Sequence, residues 1–272
     1  MTAVALSAAA RGERLSLLRR SKRAGVSTFG AWQCLPSSLS AEILARAGFD
    51  WILVDLQHGG AGWGDLLAII QALELGGAVP LVRVGWNDPM QIMRALDLGA
   101  SGVVIPMVST EEDAQRAVAA CRYPPTGIRS FGPTRSFYGG ASQLGDEALC
   151  LAMIETRQGL DNVERIAAVP GLDGLFVGAV DLSLALGCGL TTSPNATVLA
   201  AIDQVVAACN RHDLIPGGVA LGDGMPERLL ARGMRFLAVG ADVAYLDQGA
   251  RSDAAKAARL RSEGTRANDS GI

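Results

Sequence analysis

The sequence predicts an α/β protein whose strands and helices alternate as a single-domain (β/α)8 barrel, the TIM-barrel architecture. Short β-branched runs bounded by Gly or Pro recur along the chain, and longer Ala/Leu-rich segments of helical period follow them. This alternation is typical of βα units and a parallel sheet. The length of 272 residues suits one such barrel, since the architecture commonly takes about 250 residues.

The strands and helices can be placed in order along the chain. Ser37 and Ser38 begin the first helix of the barrel, Gly48 ends it, and Ser109 and Thr110 begin another ahead of two glutamates, as N-cap residues do. The apolar runs predict strands at residues 28–33, 51–55, 79–84, 103–106, 151–155, 174–177, 215–219 and 236–239. The count of eight is the reason for predicting a barrel.

Three further segments complete the organisation. Residues 1–26 form an N-terminal segment in which basic residues interleave with leucines, which predicts a short amphipathic helix ahead of the barrel, with a membrane-surface role as the alternative. The barrel takes residues 27–261 and includes a Pro- and Gly-rich insertion at 122–147, which is long enough to be functional or interfacial. Residues 262–272 are polar and are expected to form a disordered tail.

The composition excludes several classes of protein. Hydrophobic residues make up 49% of the chain, but its apolar runs are short, so we expect a large core and no membrane partner. The net charge of −3 comes without a basic stripe, which argues against nucleic acid as a partner. The five cysteines are widely spaced, an odd number and free of CxxC pairs. They indicate neither a disulfide framework nor a thiolate zinc site, and a reducing cytoplasm fits.

Polar side chains stand where several predicted strands end, which is where (β/α)8 barrels place their chemistry. Asp55 and His58 follow the second strand, Arg83 ends the third, Glu155 ends the fifth, and Asp181 comes shortly after the sixth. Because parallel strands of a barrel share one carboxyl end, these five residues are expected to converge on one mouth.

Glu155 and Asp181 are the candidate metal ligands. Two carboxylates without a nearby cysteine suit a hard cation such as Mg²⁺ or Mn²⁺, with water and a chelating 2-oxo acid in the remaining positions. Such a metal would act as a Lewis acid on an enolate oxygen. The alternative is that Glu155 only caps the next helix or pairs with Arg157.

His58 is the favoured general acid/base, since histidine titrates near neutrality and His58 lies just past a strand end. A buried structural histidine is the alternative. The chain's other histidine, His212, lies at a predicted helix end and is taken as structural.

Arg83 has a planar donor fork that matches a carboxylate or an enolate oxygen. A salt bridge to Asp55 or Glu155 is the alternative and could coexist with substrate contact. Imine catalysis is nearly excluded, because the only lysines, Lys22 and Lys256, lie outside the predicted strands. No phosphate-binding or dinucleotide-binding glycine motif is present.

Five fragments in the right order resemble the HpcH/HpaI family of metal-dependent pyruvate aldolases. They are residues 49–58 (FDWILVDLQH), 82–83 (VR), 86–89 (WNDP), 153–156 (MIET) and 176–183 (FVGAVDLS). The resemblance spans nearly the whole predicted barrel. It implies a (β/α)8 barrel of the phosphoenolpyruvate/pyruvate type and a divalent metal ion, Mg²⁺, Mn²⁺ or Co²⁺.

The resemblance also implies roles by matched position. Glu155 and Asp181 would bind the metal, Arg83 would hold the pyruvate enolate, and His58 would be the acid/base. Asp97 would pair with His58 and orient its ring.

Supporting contacts follow from the same resemblance. Asp55 would support the network of Arg83 and His58. The backbone amides from Gly178 through Val180 to Asp181 would receive the substrate carboxylate, as helix N-termini do.

Two departures from the family pattern bear on rate and specificity. Met153 stands where family members often have a glutamine, so a polar contact to the substrate or to water at the metal is expected to be missing. The insertion at 122–147 also differs from the family pattern. Its Arg129, Arg135 and Tyr138 are candidates to meet the aldehyde or to contact another subunit.

The sequence therefore predicts a carbon–carbon lyase: a class II aldolase that reversibly cleaves a 4-hydroxy-2-oxo acid to pyruvate and an aldehyde. The alternatives are a 2-oxo acid decarboxylase or macrophomate-synthase-like enolate enzyme, a citrate-lyase-type CoA-ester lyase, and a non-catalytic binding protein. The resemblance also implies a homo-oligomer, a hexamer or trimer of dimers, held partly by residues 241–260.

Overall fold

The computed structural model describes residues 8–23, 25–132, 135, 148–190 and 194–269. Eight parallel strands pair in chain order, and the eighth pairs with the first to close the barrel. The strands are β1 Thr28–Gln33, β2 Trp51–Asp55, β3 Val79–Arg83, β4 Gly102–Ile105, β5 Leu149–Ile154, β6 Gly174–Val177, β7 Ile215–Val219 and β8 Phe236–Ala241. The predicted (β/α)8 barrel and its eight strands are confirmed, with bounds that shift by a few residues at most.

Helices follow the strands around the outside of the barrel, and one further helix precedes β1. They are α1 Ala8–Arg20, α2 Ser38–Arg46, α3 Trp63–Gly76, α4 Pro89–Asp97, α5 Glu111–Cys121, α6 Arg157–Asp161, α7 Val163–Ala167, α8 Ala179–Ala185, α9 Ala196–Arg211, α10 Met225–Ala231 and α11 Asp242–Asp269. The predicted helix starts are confirmed: Ser37 caps α2 by accepting from the amide of Ser40, and Thr110 caps α5 by accepting from that of Asp113. Capping satisfies amides that have no partner within the helix.

Two hydrophobic clusters account for the layers of the barrel. One fills the space between the strands and the surrounding helices, and the other fills the barrel interior. Trp51 and Phe236 stack inside the barrel with ring centroids 4.1 Å apart. Gly30 opposes them, and a Cβ there would lie 2.2 Å from the Trp51 ring, so only glycine fits.

Helix α1 closes the amino-terminal end of the barrel. Its Leu15 and Leu18 are buried in the interior cluster, and Arg19 forms an ion pair with Asp173 at 3.2 Å. A helix is therefore present in the N-terminal segment, and its buried leucines pack against the barrel.

Helix α11 differs from the prediction at the carboxyl end. It runs for 28 residues to Asp269, so the predicted disorder is wrong for residues 262–269. A helix that is already nucleated gains one backbone hydrogen bond for each residue that it adds, and no proline stops it. None of the helices within the described ranges combines the length and the hydropathy that a bilayer crossing requires.

Candidate active site

The carboxyl ends of β2 and β3 bring two predicted residues into direct contact. Asp55 and Arg83 are the last residues of these adjacent strands and are paired in the sheet register. The Arg83 Nε donates to Asp55 Oδ1 at 2.8 Å, and its Nη2 donates to Oδ2 at 2.6 Å. Asp55 is 2% exposed and Arg83 8%. The contact is thus a buried bidentate ion pair, and the salt bridge expected as the alternative for Arg83 is present.

Trp32 fixes both members of this pair. Its indole Nε1 donates to Asp55 Oδ2 at 3.1 Å, and the Arg83 guanidinium lies over its ring, 5.0 Å from the centroid. The contacts with Asp55 use two of the Arg83 nitrogens, and no described residue hydrogen-bonds to the third, Nη1. Arg83 is therefore held rigidly with one donor group left for a ligand.

Asp55 is held in its charged form. Burial by itself would raise the pKa of Asp55, but the hydrogen bonds and the charge of Arg83 and the hydrogen bond from Trp32 outweigh it and lower the pKa. The peptide amides of Gln57 and His58 also donate to Asp55 Oδ1, at 3.0 and 3.2 Å. The same carboxylate therefore orients Arg83 and fixes the backbone that carries His58.

His58 lies at the mouth, and Asp97 does not. The His58 side chain is exposed, so the alternative of a buried structural histidine is wrong. Asp97 is the last residue of α4, a helix that runs back from the mouth, and its carboxylate accepts from Arg129 at 2.9 Å. Within one chain, the predicted pairing of Asp97 with His58 is therefore not made.

The insertion also begins away from the mouth. It follows the end of α5 at the amino-terminal end of the barrel, where Arg135 donates to Glu74 at 2.8 Å and to the Leu98 carbonyl at 3.1 Å. Arg129 lies there too, through its pair with Asp97. Within one chain neither arginine reaches the mouth, so contact with an aldehyde there is not made, and the alternative role, contact with another subunit, stays a prediction. Tyr138 lies outside the described residues.

Glu155 follows β5 and is 3% exposed. Its Oε1 accepts from the Met107 amide at 2.7 Å. Burial raises the pKa of Glu155, and the neighbouring Asp181 raises it further, although the Met107 hydrogen bond and Arg83 oppose them. The residue that caps α6 is Thr156, and no described contact joins Glu155 to Arg157. Glu155 therefore neither caps the next helix nor pairs with Arg157, the two alternatives to a metal role.

Gly178 opens the space between the two predicted metal ligands. A Cβ at Gly178 would lie 2.7 Å from Glu155 Oε2, so this position requires glycine. Asp181 stands in the first turn of α8 and is exposed. The Gly178 amide, predicted to receive the substrate carboxylate, instead donates to the Ile154 carbonyl at 3.1 Å. The amides of Val180 and Asp181 have no described partner, as expected in a first turn.

Glu155 and Asp181 are the oxygen donors that the mouth offers to a divalent cation. The described residues contain no group of three or more His, Cys, Asp or Glu side chains that could hold a metal. Asp181 raises the pKa of the buried Glu155, and two neighbouring carboxylates nevertheless suit a hard cation, which commonly keeps several waters and binds protein through one or two carboxylates. Glu155 and Asp181 therefore fit an ion that is completed by water and substrate.

Met107 and Trp32 contact the candidate site residues Glu155, Asp55 and Arg83, and the sequence did not reveal these contacts. Met107 contributes its backbone amide and Trp32 an indole from a strand interior, and neither residue type signals chemistry in a sequence. Met153, noted as a departure, is fully buried in the interior cluster, and its Sδ would lie 3.4 Å from a Cβ at Gly178. It makes the floor below the two carboxylates apolar.

The chain is similar to known proteins over most of its length. The sequence model of the HpcH/HpaI aldolase/citrate lyase family matches residues 28–248. A hydroxypyruvate/pyruvate aldolase of Rhizorhabdus wittichii is 38% identical over 241 residues, 87% of this chain and 96% of that protein. A 4-hydroxy-2-oxo-heptane-1,7-dioate aldolase of Salmonella dublin is 38% identical over 258 residues, covering 92% and 96%. The crystal structure of an HpcH/HpaI aldolase/citrate lyase family protein from Burkholderia cenocepacia superposes with a TM-score of 0.79 at 30% identity, covering 89% of this chain and 98% of that one.

Proposed function

The chain belongs to the HpcH/HpaI aldolase/citrate lyase family, and we propose that its mouth performs class II aldol chemistry on a 4-hydroxy-2-oxo acid, releasing pyruvate and an aldehyde reversibly. The similarity to enzymes named as aldolases makes the chain a carbon–carbon lyase. The observation that carries the proposal is the buried Arg83–Asp55 pair at the same mouth as the buried Glu155. These groups suit a substrate that develops negative charge on a 2-oxo oxygen.

Glu155 and Asp181 would hold the divalent cation, Mg²⁺, Mn²⁺ or Co²⁺. Bound there, the cation supplies Lewis-acid stabilisation of negative charge on the 2-oxo oxygen. The raised pKa of Glu155 supports this role, because an unpaired buried carboxylate is costly in the absence of a counter-charge.

Arg83 would bind the oxygen on which the enolate charge develops. Its Nη1 is free of described partners, while Asp55 and Trp32 keep the guanidinium in place. A preorganised donor stabilises charge without reorganising during the reaction. The free amides of Val180 and Asp181, next to Gly178, would receive the substrate carboxylate.

His58 would move the proton of the aldol step. In cleavage His58 takes the proton of the 4-hydroxyl group and the C3–C4 bond breaks. The electron pair of that bond passes into the pyruvate enolate as the aldehyde leaves. A proton delivered to C3 then gives pyruvate, and synthesis follows the same path in reverse. Asp55 positions His58 through the peptide amide rather than through the ring.

The test is pyruvate release from a panel of 4-hydroxy-2-oxo acids by metal-loaded protein, with the aldehyde trapped and identified. The expected result is stoichiometric pyruvate and aldehyde, whose formation is lost in His58→Asn and strongly slowed in Arg83→Lys. Carbon dioxide released from oxaloacetate, with no aldehyde released from any 4-hydroxy-2-oxo acid of the panel, would favour the decarboxylase alternative. Cleavage of an acyl-CoA ester instead would favour the CoA-ester lyase, and no turnover would return the chain to a binding role.

The assembly and location are proposed on two observations. Helix α11 exposes Val243, Tyr245, Leu246 and Leu260, apolar side chains that would be covered if copies associate through it, as a hexamer or trimer of dimers. The five cysteines are free thiols, which suits a reducing cytoplasm. Light scattering on the purified protein measures the copy number, and a monomer would contradict the first point.

A further inference from the structure

Met107 adopts an unusual backbone conformation beside the candidate metal ligands. It lies in the loop between β4 and α5 with φ of 58°, in the left-handed region that non-glycine residues rarely occupy. This conformation directs its amide at Glu155 Oε1, 2.7 Å away. Strain of this kind persists only where the surroundings over-determine the backbone.

A chain of hydrogen bonds holds this loop in place. The amide of Gly159 donates to Thr156 Oγ1 at 2.9 Å, and Thr156 Oγ1 lies 2.7 Å from Ser109 Oγ. Ser109 Oγ in turn donates to the Met107 carbonyl at 3.4 Å. Each hydroxyl has one hydrogen, so Thr156 donates to Ser109 and Ser109 donates to Met107.

A second link ties the same loop to the segment after β5. The side-chain amide of Asn162 donates to the Ser109 carbonyl at 2.9 Å. A Cβ at Gly159 would lie 2.8 Å from the Val108 carbonyl oxygen, so the two loops approach too closely for any other residue there. The β4–α5 loop is therefore clamped against the segment that carries Glu155.

We propose that Ser109 is a positioning residue for the metal site: through the Thr156–Ser109–Met107 chain it holds the Met107 amide on one oxygen of Glu155, leaving the other oxygen aimed across Gly178 for the cation. This inference rests on the metal role given to Glu155 under the proposed function. Hydrogen bonds to a ligating carboxylate fix its rotamer and tune its affinity. Without Ser109 the left-handed peptide relaxes, and Glu155 Oε1 loses its donor.

The experiment measures Mn²⁺ binding by electron paramagnetic resonance, with calorimetry as a second readout, on the full-length protein. Ser109→Ala removes the central hydroxyl of the Thr156–Ser109–Met107 chain, whereas Ser109→Thr keeps a hydroxyl at this position. Asn195→Ala is the matched control for general destabilisation, because Asn195 caps α9 by accepting from the Val198 amide at 3.1 Å. Glu155→Ala reports on the metal site itself, and circular dichroism checks that each variant is folded.

We expect Ser109→Ala to weaken Mn²⁺ binding about 10-fold, the lower end of the effect of removing an outer partner of a metal ligand. Ser109→Thr and Asn195→Ala should keep the affinity of the unsubstituted protein. Unchanged affinity in folded Ser109→Ala, or an equal loss in Asn195→Ala, would overturn the inference. Mn²⁺ binding that survives Glu155→Ala would instead overturn the metal site of the proposed function. If Ser109→Ala does not fold, Thr156→Val against Thr156→Ser decides in the same way.

Discussion

Neutralising two buried carboxylates at the same mouth should change stability in opposite directions. Glu155→Gln and Asp55→Asn each replace a carboxylate by an amide of the same shape, on strands of one barrel. Glu155 and Asp55 are 3% and 2% exposed, so solvent screens neither of them strongly. The two substitutions differ in what the carboxylate contacts.

Glu155→Gln should stabilise the metal-free protein. The charged side chain is buried near Asp181 and has one described hydrogen bond, from Met107, which a glutamine oxygen can still accept. Incomplete compensation of a buried polar group costs about 1–3 kcal/mol in mutational data. We therefore expect the free energy of unfolding to rise by about 1–2 kcal/mol at pH 7, within that range.

Asp55→Asn should destabilise it. The carboxylate pairs with Arg83 through two hydrogen bonds of 2.8 and 2.6 Å and also accepts from Trp32. Removing one member of a buried ion pair leaves the other uncompensated, which costs about 3–5 kcal/mol. An amide keeps one acceptor oxygen but turns a donor toward the guanidinium, so we expect about 3 kcal/mol, the lower end of that range.

The pH dependence of each effect follows from the sign of the pKa shift. The pKa of Glu155 is higher in the folded protein than in the unfolded chain. The stability linked to the protonated carboxyl is therefore fully present below the pKa of the unfolded chain, and it is lost as pH rises through the pKa of the folded protein. The gain in Glu155→Gln should therefore shrink on acidification toward pH 4. The pKa of Asp55 is lowered, so its contribution is present above the unfolded pKa and is lost as pH falls through the folded one. The penalty in Asp55→Asn should therefore be nearly the same at pH 4 as at pH 7, and it should shrink only at lower pH, as Asp55 becomes protonated in the folded protein.

The assay is urea unfolding of chelator-treated protein at fixed protein concentration, followed by circular dichroism at pH 7 and pH 4. A lower urea midpoint in Glu155→Gln would refute the reasoning, because it would mean that the Glu155 carboxylate stabilises the metal-free fold. Equal shifts of the same sign in both variants would refute the distinction between the two carboxylates.

Three further substitutions test other parts of the structure. Leu18→Ala, in the fully buried face of α1, should cost about 2–5 kcal/mol of stability, as large-to-small core substitutions do, without changing Mn²⁺ affinity; an unchanged urea midpoint would contradict the packing of α1. Arg83→Lys loses the bidentate pair with Asp55 and should lower kcat/KM about 100-fold, the loss seen for one preorganised donor, and activity within a few-fold would remove Arg83 from the site. Gly178→Ala places a methyl group 2.7 Å from Glu155 Oε2 and should weaken Mn²⁺ binding measured by titration, whereas full affinity would show that the carboxylate has another place to go.

The barrel could be predicted because its signal is local. Each buried strand is a short apolar run that polar residues or glycines bound on both sides. In β2, for example, Trp51–Asp55 follows Asp50 and is closely followed by Gly59 and Gly60. Helix starts were equally local, since Ser37 and Thr110 cap the helices that follow them. The carboxyl end of α11 was missed because polar composition alone does not terminate a helix that is already formed.

The candidate site could be predicted in part. Asp55, His58, Arg83 and Glu155 follow directly from strand ends, and the topology of a parallel barrel brings strand ends together. Within one chain, the pairing of Asp97 with His58 that the resemblance implies is not made, because the direction of α4 carries Asp97 away from the mouth toward Arg129. Pairing within a chain depends on where a helix runs, which sequence spacing does not state.

The contacts that organise the site were beyond the sequence. The Met107 amide on Glu155 depends on a left-handed backbone at a residue type that rarely adopts one. The Trp32 contacts with Asp55 and Arg83 cross from β1 to β2 and β3. Both need the three-dimensional arrangement of the loops and strands.

The central claim, that Glu155 and Asp181 hold a cation that stabilises a pyruvate enolate bound to Arg83, is tested most directly by hydrogen exchange. The methyl protons of pyruvate would be followed by NMR in D2O with metal-stripped protein, before and after addition of Mg²⁺, Mn²⁺ or Co²⁺, and with folded Glu155→Gln beside it. The account predicts exchange that requires the metal and is lost in the variant. Exchange that proceeds equally without metal, or no exchange with any of the three ions, would contradict it.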